Sequence, residues 1–287
     1  MEYINVFRAD WNYQDIAKLE LEGIRLDENG IFQLTDEVKV NWVIKYFSDA
    51  KNFYHNKARV IFSDSELQET GSLMLQEIGP AMAYPAKIGN NNDDAFGYLK
   101  YAFDEICPEF GTPLQEQIRP ITLAKEPKLP KKYIWGGFHG ISGYLFTDLE
   151  RFEILHQKWG LEKKEVLIGS KQKVSTNFVQ LDIPISKSTL CFGNSYFGKT
   201  LKLDGSGELS ESFTICPSCG NPIFTNQVLD YFPAFNEEFD FDIVFTSEWF
   251  GWYRRLVISR KFAEWLRENK YINWNSNYII PVKNFCK

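Results

Sequence analysis

Several features that would name a chemistry at once are missing from this chain. It has only three histidines in 287 residues, His55, His139 and His156. Neither HExxH nor GxSxG occurs, which removes the zinc-protease and serine-hydrolase signatures. The glycine-rich stretch YIWGGFHGISGYLF lacks the GxxxxGK[ST] order of a phosphate-binding loop. No apolar run approaches the ~18 residues of a membrane span. The opening MEYINVFRADWNYQD has no charged segment followed by an apolar one, so no secretory signal is expected.

Positive charge is also short. The formal net charge is -6, and the runs KEPKLPKK and LEKKE are brief, the second mixed in sign. A nucleic-acid cleft normally shows a basic stripe, so direct nucleic-acid binding is not expected. An acidic surface suits a basic partner better. Cysteines number five, none before Cys107. An odd count without a signal segment argues against a disulfide framework and for a soluble protein of the reducing cytoplasm.

What is present belongs to a folded globular chain. Apolar residues make up 44% and aromatic residues 16%, enough for a substantial core. Ser63 and Glu66 have the spacing of a capping box, opening a helix expected to carry Leu67, Leu73 and Leu75 to Gly79-Pro80. A second helix is expected over Asp93 to Ile106, with Phe96, Leu99, Phe103 and Ile106 on one face. Prolines crowd residues 107–132, which reads as a connection between lobes. Beyond it, a helix capped by Thr147 and Glu150 ends at Gly160. Strands are expected at KEVLIG, NFVQLDIPI, FDFDIVFTSEWF, RRLVIS and NYIIPV, with a helix capped by Ser259. The fold class expected is α+β: a helical or mixed N-terminal lobe over 1–130, and a mostly antiparallel β lobe over 131–287 carrying a CxxC knuckle.

The knuckle is Cys216-Pro217-Ser218-Cys219-Gly220. A CxxC turn lets two thiolates reach one metal at about 2.3 Å, and the glycine frees backbone N–H groups to face sulfur. Two ligands are half of a structural Zn2+ site. Cys191, His139 and His156 are the candidates to complete it; a turn with free thiols is the alternative. A redox role fits less well, because Gly220-Asn221-Pro222 does not open a helix. Glu237, Glu238, Asp240 and Asp242 form an acidic segment, either a charged edge strand guarded against pairing or a surface that meets a basic partner.

Four segments resemble, in order, the bacterial double-CxxCG family, associated with immunity proteins of toxin–immunity systems in interbacterial competition. They are MEYINVFRAD, WGGFHGISG, FVQLDIPI with CPSCGN, and FDIVFTSEWFGWYRRLVISRKFAEWLRENKYI. The resemblance covers Tyr133 to Val282 best. The family's first CxxCG lies in its N-terminal part, where this chain has no cysteine. The resemblance implies a non-enzymatic protein, containing a zinc finger, that binds and neutralises a cognate toxin, a basic nuclease effector being one such partner. A zinc-ribbon nucleic-acid module and a metal-dependent hydrolase using Cys216, Cys219 and a histidine are the other readings.

Overall fold

A computed structural model describes residues 1–76, 79–84, 86, 102, 107, 117–138, 141–192, 200–201, 209–210, 213–220, 222–224, 230–250, 253–272 and 279–283. Apart from Ala102, the helix expected over 93–106 lies outside them. The architecture is α+β, with several antiparallel and mixed sheets. Among the described residues no helix is long and apolar enough to cross a membrane.

The first unit runs β1 (Glu2–Arg8), α1 (Tyr13–Leu21), β2 (Ile31–Leu34), α2 (Glu37–Phe47) and β3 (Tyr54–Ile61). Its sheet has the order β2-β1-β3, antiparallel throughout, so β1 is central. Asn12 and Asp36 cap the two helices by accepting backbone N–H bonds in their first turns. Phe7, Leu19, Phe32, Val43 and Phe47 close a separate small core between helices and sheet.

The chain continues through α3 (Asp64–Glu69), β4 (Ser72–Leu75), β5 (Ala81–Ala83) and β6 (Ile121–Leu123). Next come β7 (Gly136–Phe138), β8 (Ile141–Asp148), α4 (Leu149–Trp159), β9 (Glu162–Lys164), β10 (Val166–Ile168), β11 (Lys173–Val174) and β12 (Phe178–Asp182). It ends with β13 (Thr200–Leu201), β14 (Leu209–Ser210), β15 (Phe213–Ile215), β16 (Pro222–Phe224), β17 (Ile243–Phe250), β18 (Tyr253–Ser259), α5 (Arg260–Glu268) and β19 (Ile279–Pro281).

The largest sheet has the order β15-β16-β17-β18-β4-β19, and a second has the order β5-β7-β8-β12-β9. Their buried faces share one core, from Val60 and Phe62 through Leu145 and Leu181 to Ile280. Between α4 and α5 an aromatic group closes it: Trp159 packs edge-on to Phe262 at 4.7 Å and lies 5.6 Å from Trp265. Fully burying each such side chain contributes about 1.5–3 kcal/mol.

Three expectations need correcting. The capping box of Ser63 and Glu66 is present, but α3 stops at Glu69. Leu73 and Leu75 lie on β4, between β18 and β19. β4 is an interior strand, and Leu73, Met74 and Leu75, which alternate between its two faces, are all buried. A boundary at residue 130 therefore does not separate two cores, because β4 is an interior strand of the C-terminal sheet. Second, residues 107–132 are more than a connection. Within them β6 is fully buried and pairs in parallel with β10. Third, Asp148 caps α4, accepting from the Arg151 N–H at 2.9 Å. Thr147 is buried and donates its hydroxyl to the Ile134 carbonyl at 2.7 Å.

Candidate metal centre

The CxxC segment joins two antiparallel strands. β15 and β16 pair from Phe213 with Phe224 to Ile215 with Pro222, and the turn between them holds both cysteines. Gly220 closes it: its N–H donates to the Cys216 carbonyl at 2.8 Å, and its φ is +69°. That left-handed conformation strains most residues with a Cβ, so glycine is favoured there. β16 then runs parallel to β17, with Ile223 opposite Trp249, which ties the turn to the main sheet.

A third thiol arrives from far away in sequence. Cys107 Sγ lies 3.4 Å from Cys216 Sγ, and the ligand atoms of Cys107, Cys216 and Cys219 all lie within 4.8 Å of one another. Cys107 and Cys216 are buried, and Cys219 is partly exposed. A tetrahedral ion with metal–sulfur bonds of about 2.3 Å separates its sulfurs by roughly 3.8 Å. The Cys107–Cys216 separation is a little below that value, and all three thiols are within reach of one ion. The group can hold a metal ion, and a set of soft sulfur donors suits zinc among the common divalent metals.

Cys216 and Cys219 are brought together as expected. Cys191 is not part of the group: it is disulfide-bonded, so its sulfur has no thiolate to offer a metal. That bond also runs against the expectation of a chain without disulfides. His55 contacts Asn5 Oδ1 through Nε2 at 2.9 Å, and His156 Nδ1 contacts the Leu161 carbonyl at 2.9 Å. His139 lies outside the described residues.

Sequence reasoning missed Cys107, although a signal was there. Cys107-Pro108-Glu109-Phe110-Gly111 matches Cys216-Pro217-Ser218-Cys219-Gly220 position by position, with Phe110 where the second cysteine stands. The two segments share Cys-Pro-x-x-Gly, and the first lacks the second cysteine.

The acidic segment is not a strand. β17 begins at Ile243, so Asp240 and Asp242 share no strand face. Glu237, Glu238 and Asp240 are exposed. Asp242 is partly buried and accepts from the Ser259 hydroxyl at 3.0 Å, bracing the start of α5. Phe235, Phe239 and Phe241 pack on one another beside these carboxylates, with ring centres 5.0 to 5.8 Å apart.

No family model, curated protein or solved structure matches this chain.

Proposed function

We propose that this chain is an immunity protein: it binds a cognate toxin of a competing bacterium and neutralises it without catalysis. The observation that carries this reading is the convergence of Cys107, Cys216 and Cys219 on one three-thiol group. A thiol group completed by a cysteine outside the CxxC turn is compatible with a double-CxxCG protein that has one degenerate knuckle. In this reading Cys107, Cys216 and Cys219 hold a structural Zn2+ that ties the β15–β16 turn to the middle of the chain. Metal bound in this way contributes to folding directly.

The net charge of -6 favours a basic partner, and a nuclease domain carries a basic surface for phosphates. Covering that surface excludes nucleic acid by occupancy alone, and about 800 Å² on each partner is enough for a stable complex. Glu237, Glu238 and Asp240 are the exposed carboxylates this reading assigns to the approach of the toxin. Asp242 is left out, because it is engaged with Ser259. A cytoplasmic site of action goes with a nuclease target; the disulfide at Cys191 pulls the other way.

The test is co-expression with the product of the neighbouring toxin gene. Growth should be rescued and the two proteins should co-purify. Continued killing, with both proteins made and no complex recovered, would rule the reading out.

A further inference from the structure

A second candidate site shares no residue with the cysteine group. Strands β8, β12, β17 and β18 contribute to a cavity of about 290 Å³. Its walls are mixed. Leu181, Ile183 and Phe245 are apolar, while Arg254, Lys164 and Gln180 bring donors.

Arg254 is the central feature. Its guanidinium stacks on Trp249, 4.5 Å from the ring centre. Nη1 donates to the carbonyls of Thr246, at 2.8 Å, and Ser247. Those two bonds use both Nη1 hydrogens and leave the Nε–Nη2 edge, with three N–H groups, for another acceptor. That edge is the fork that takes a carboxylate or phosphate through two parallel hydrogen bonds.

Among the described residues, no carboxylate forms an ion pair with Arg254. Glu248 is the nearby acid, but its oxygens accept from the Leu190 N–H at 2.7 Å and the Ser247 hydroxyl at 2.8 Å. Asp182, the acid in the wall, is bound by Lys164 at 2.7 Å. The lining thus carries two cations and one anion, although the whole chain is acidic. Burial holds the Arg254 pKa below its usual value, reflecting the cost of a partly desolvated cation. Gln180 Nε2 donates one of its two hydrogens to Gln117 Oε1 at 2.7 Å, which leaves one for a ligand.

We infer that this cavity binds a small molecule carrying an oxyanion, a carboxylate or a phosphate, on an apolar body. The oxyanion docks side-on against the Nε–Nη2 edge of Arg254, and the apolar body lies against Leu181, Ile183 and Phe245. The fixed stacking on Trp249 and the two backbone carbonyls preorganise the fork, so little entropy is lost on binding. This proposal does not rest on the toxin-binding reading.

The experiment is a titration of the full chain with benzoate, with phenyl phosphate and with uncharged benzamide, followed by calorimetry and by tryptophan fluorescence. Saturable binding of benzoate or phenyl phosphate, with benzamide much weaker, is the expected result; the tighter of the two identifies the headgroup. Arg254→Gln should weaken binding by about tenfold or more. Arg254→Lys keeps the charge but loses the fork, so it should also bind more weakly. It serves as the test if the glutamine variant does not fold. No saturable binding of either anion by the wild-type chain overturns the proposal. So does equal binding of benzamide, or unchanged affinity in a folded Arg254→Lys chain.

Discussion

Cys107 Sγ and Cys216 Sγ lie 3.4 Å apart, although 109 positions separate them in the chain. Bringing two distant cysteines that close orders a long segment, and the entropic cost must be offset by what the sulfurs share. A common metal ion would do this. The purified protein should contain one zinc per chain. Cys107→Ser should lose it as fully as Cys216→Ser, while Cys191→Ser should retain it. A site held a thousandfold above its dissociation constant adds about 4 kcal/mol. Urea unfolding of the chelated protein should show a loss of that order. Full zinc content in Cys107→Ser would remove Cys107 from the centre.

The start of α5 depends on one hydroxyl. Ser259 Oγ accepts the Phe262 N–H at 3.1 Å and donates to Asp242 Oδ1 at 3.0 Å. Ser259→Ala should cost about 1 kcal/mol in urea unfolding. Asp242→Ala should cost less, since the cap bond itself survives. A larger loss in Asp242→Ala than in Ser259→Ala would contradict this order.

His55 makes stability depend on pH. Its ring stacks on Phe7 at 4.6 Å, and burial, helped by the Lys57 charge, lowers its pKa from 6.5. Just below that pH the unfolded chain takes up a proton that the folded chain refuses. More protons on the unfolded state mean that stability falls as pH drops through the window between the two pKa values. His55→Gln should flatten this part of the stability–pH curve. An unchanged slope between about pH 7 and 5 would show that other groups set it.

Glycines of similar appearance should respond differently. At Gly79, φ is +114° and an added Cβ would sit 2.9 Å from the Trp135 carbonyl oxygen. Gly79→Ala should therefore cost about 1–3 kcal/mol. Gly136 faces Met82 too closely for a Cβ, whereas Gly137 has nothing within 4 Å. Gly136→Ala should lower the thermal midpoint, and Gly137→Ala should change stability by about 0.5 kcal/mol or less. Equal losses at 136 and 137 would mean that the contact with Met82 does not matter.

Much of the local structure was legible without coordinates. The capping box of Ser63 and Glu66, the cap at Ser259 and the left-handed Gly160 are present as read. The strands expected at NFVQLDIPI, FDFDIVFTSEWF and RRLVIS occur as Phe178–Asp182, Ile243–Phe250 and Tyr253–Ser259, the first two shorter than expected. The caps and the glycine turn are set by interactions spanning a few residues. The helices α1 and α2 were missed, because the apolar residues of Tyr13–Leu21 and Glu37–Phe47 mix with charge and form weak stripes. Their burial comes from packing on the sheet of the first unit.

The sequence by itself determined the α+β class, the CxxCG turn that presents two thiols, and the acidic balance of charge. Only the tertiary structure decided that Leu73 and Leu75 belong to a strand, that Cys107 is the third thiol and that Arg254 lines a cavity with no acid paired to it among the described residues. The reason is the range of the forces involved. Caps and tight turns are settled by neighbouring backbone groups. A strand buried on both faces, a thiol cluster and a preorganised guanidinium are settled by partners that the chain reaches only after it has folded back on itself.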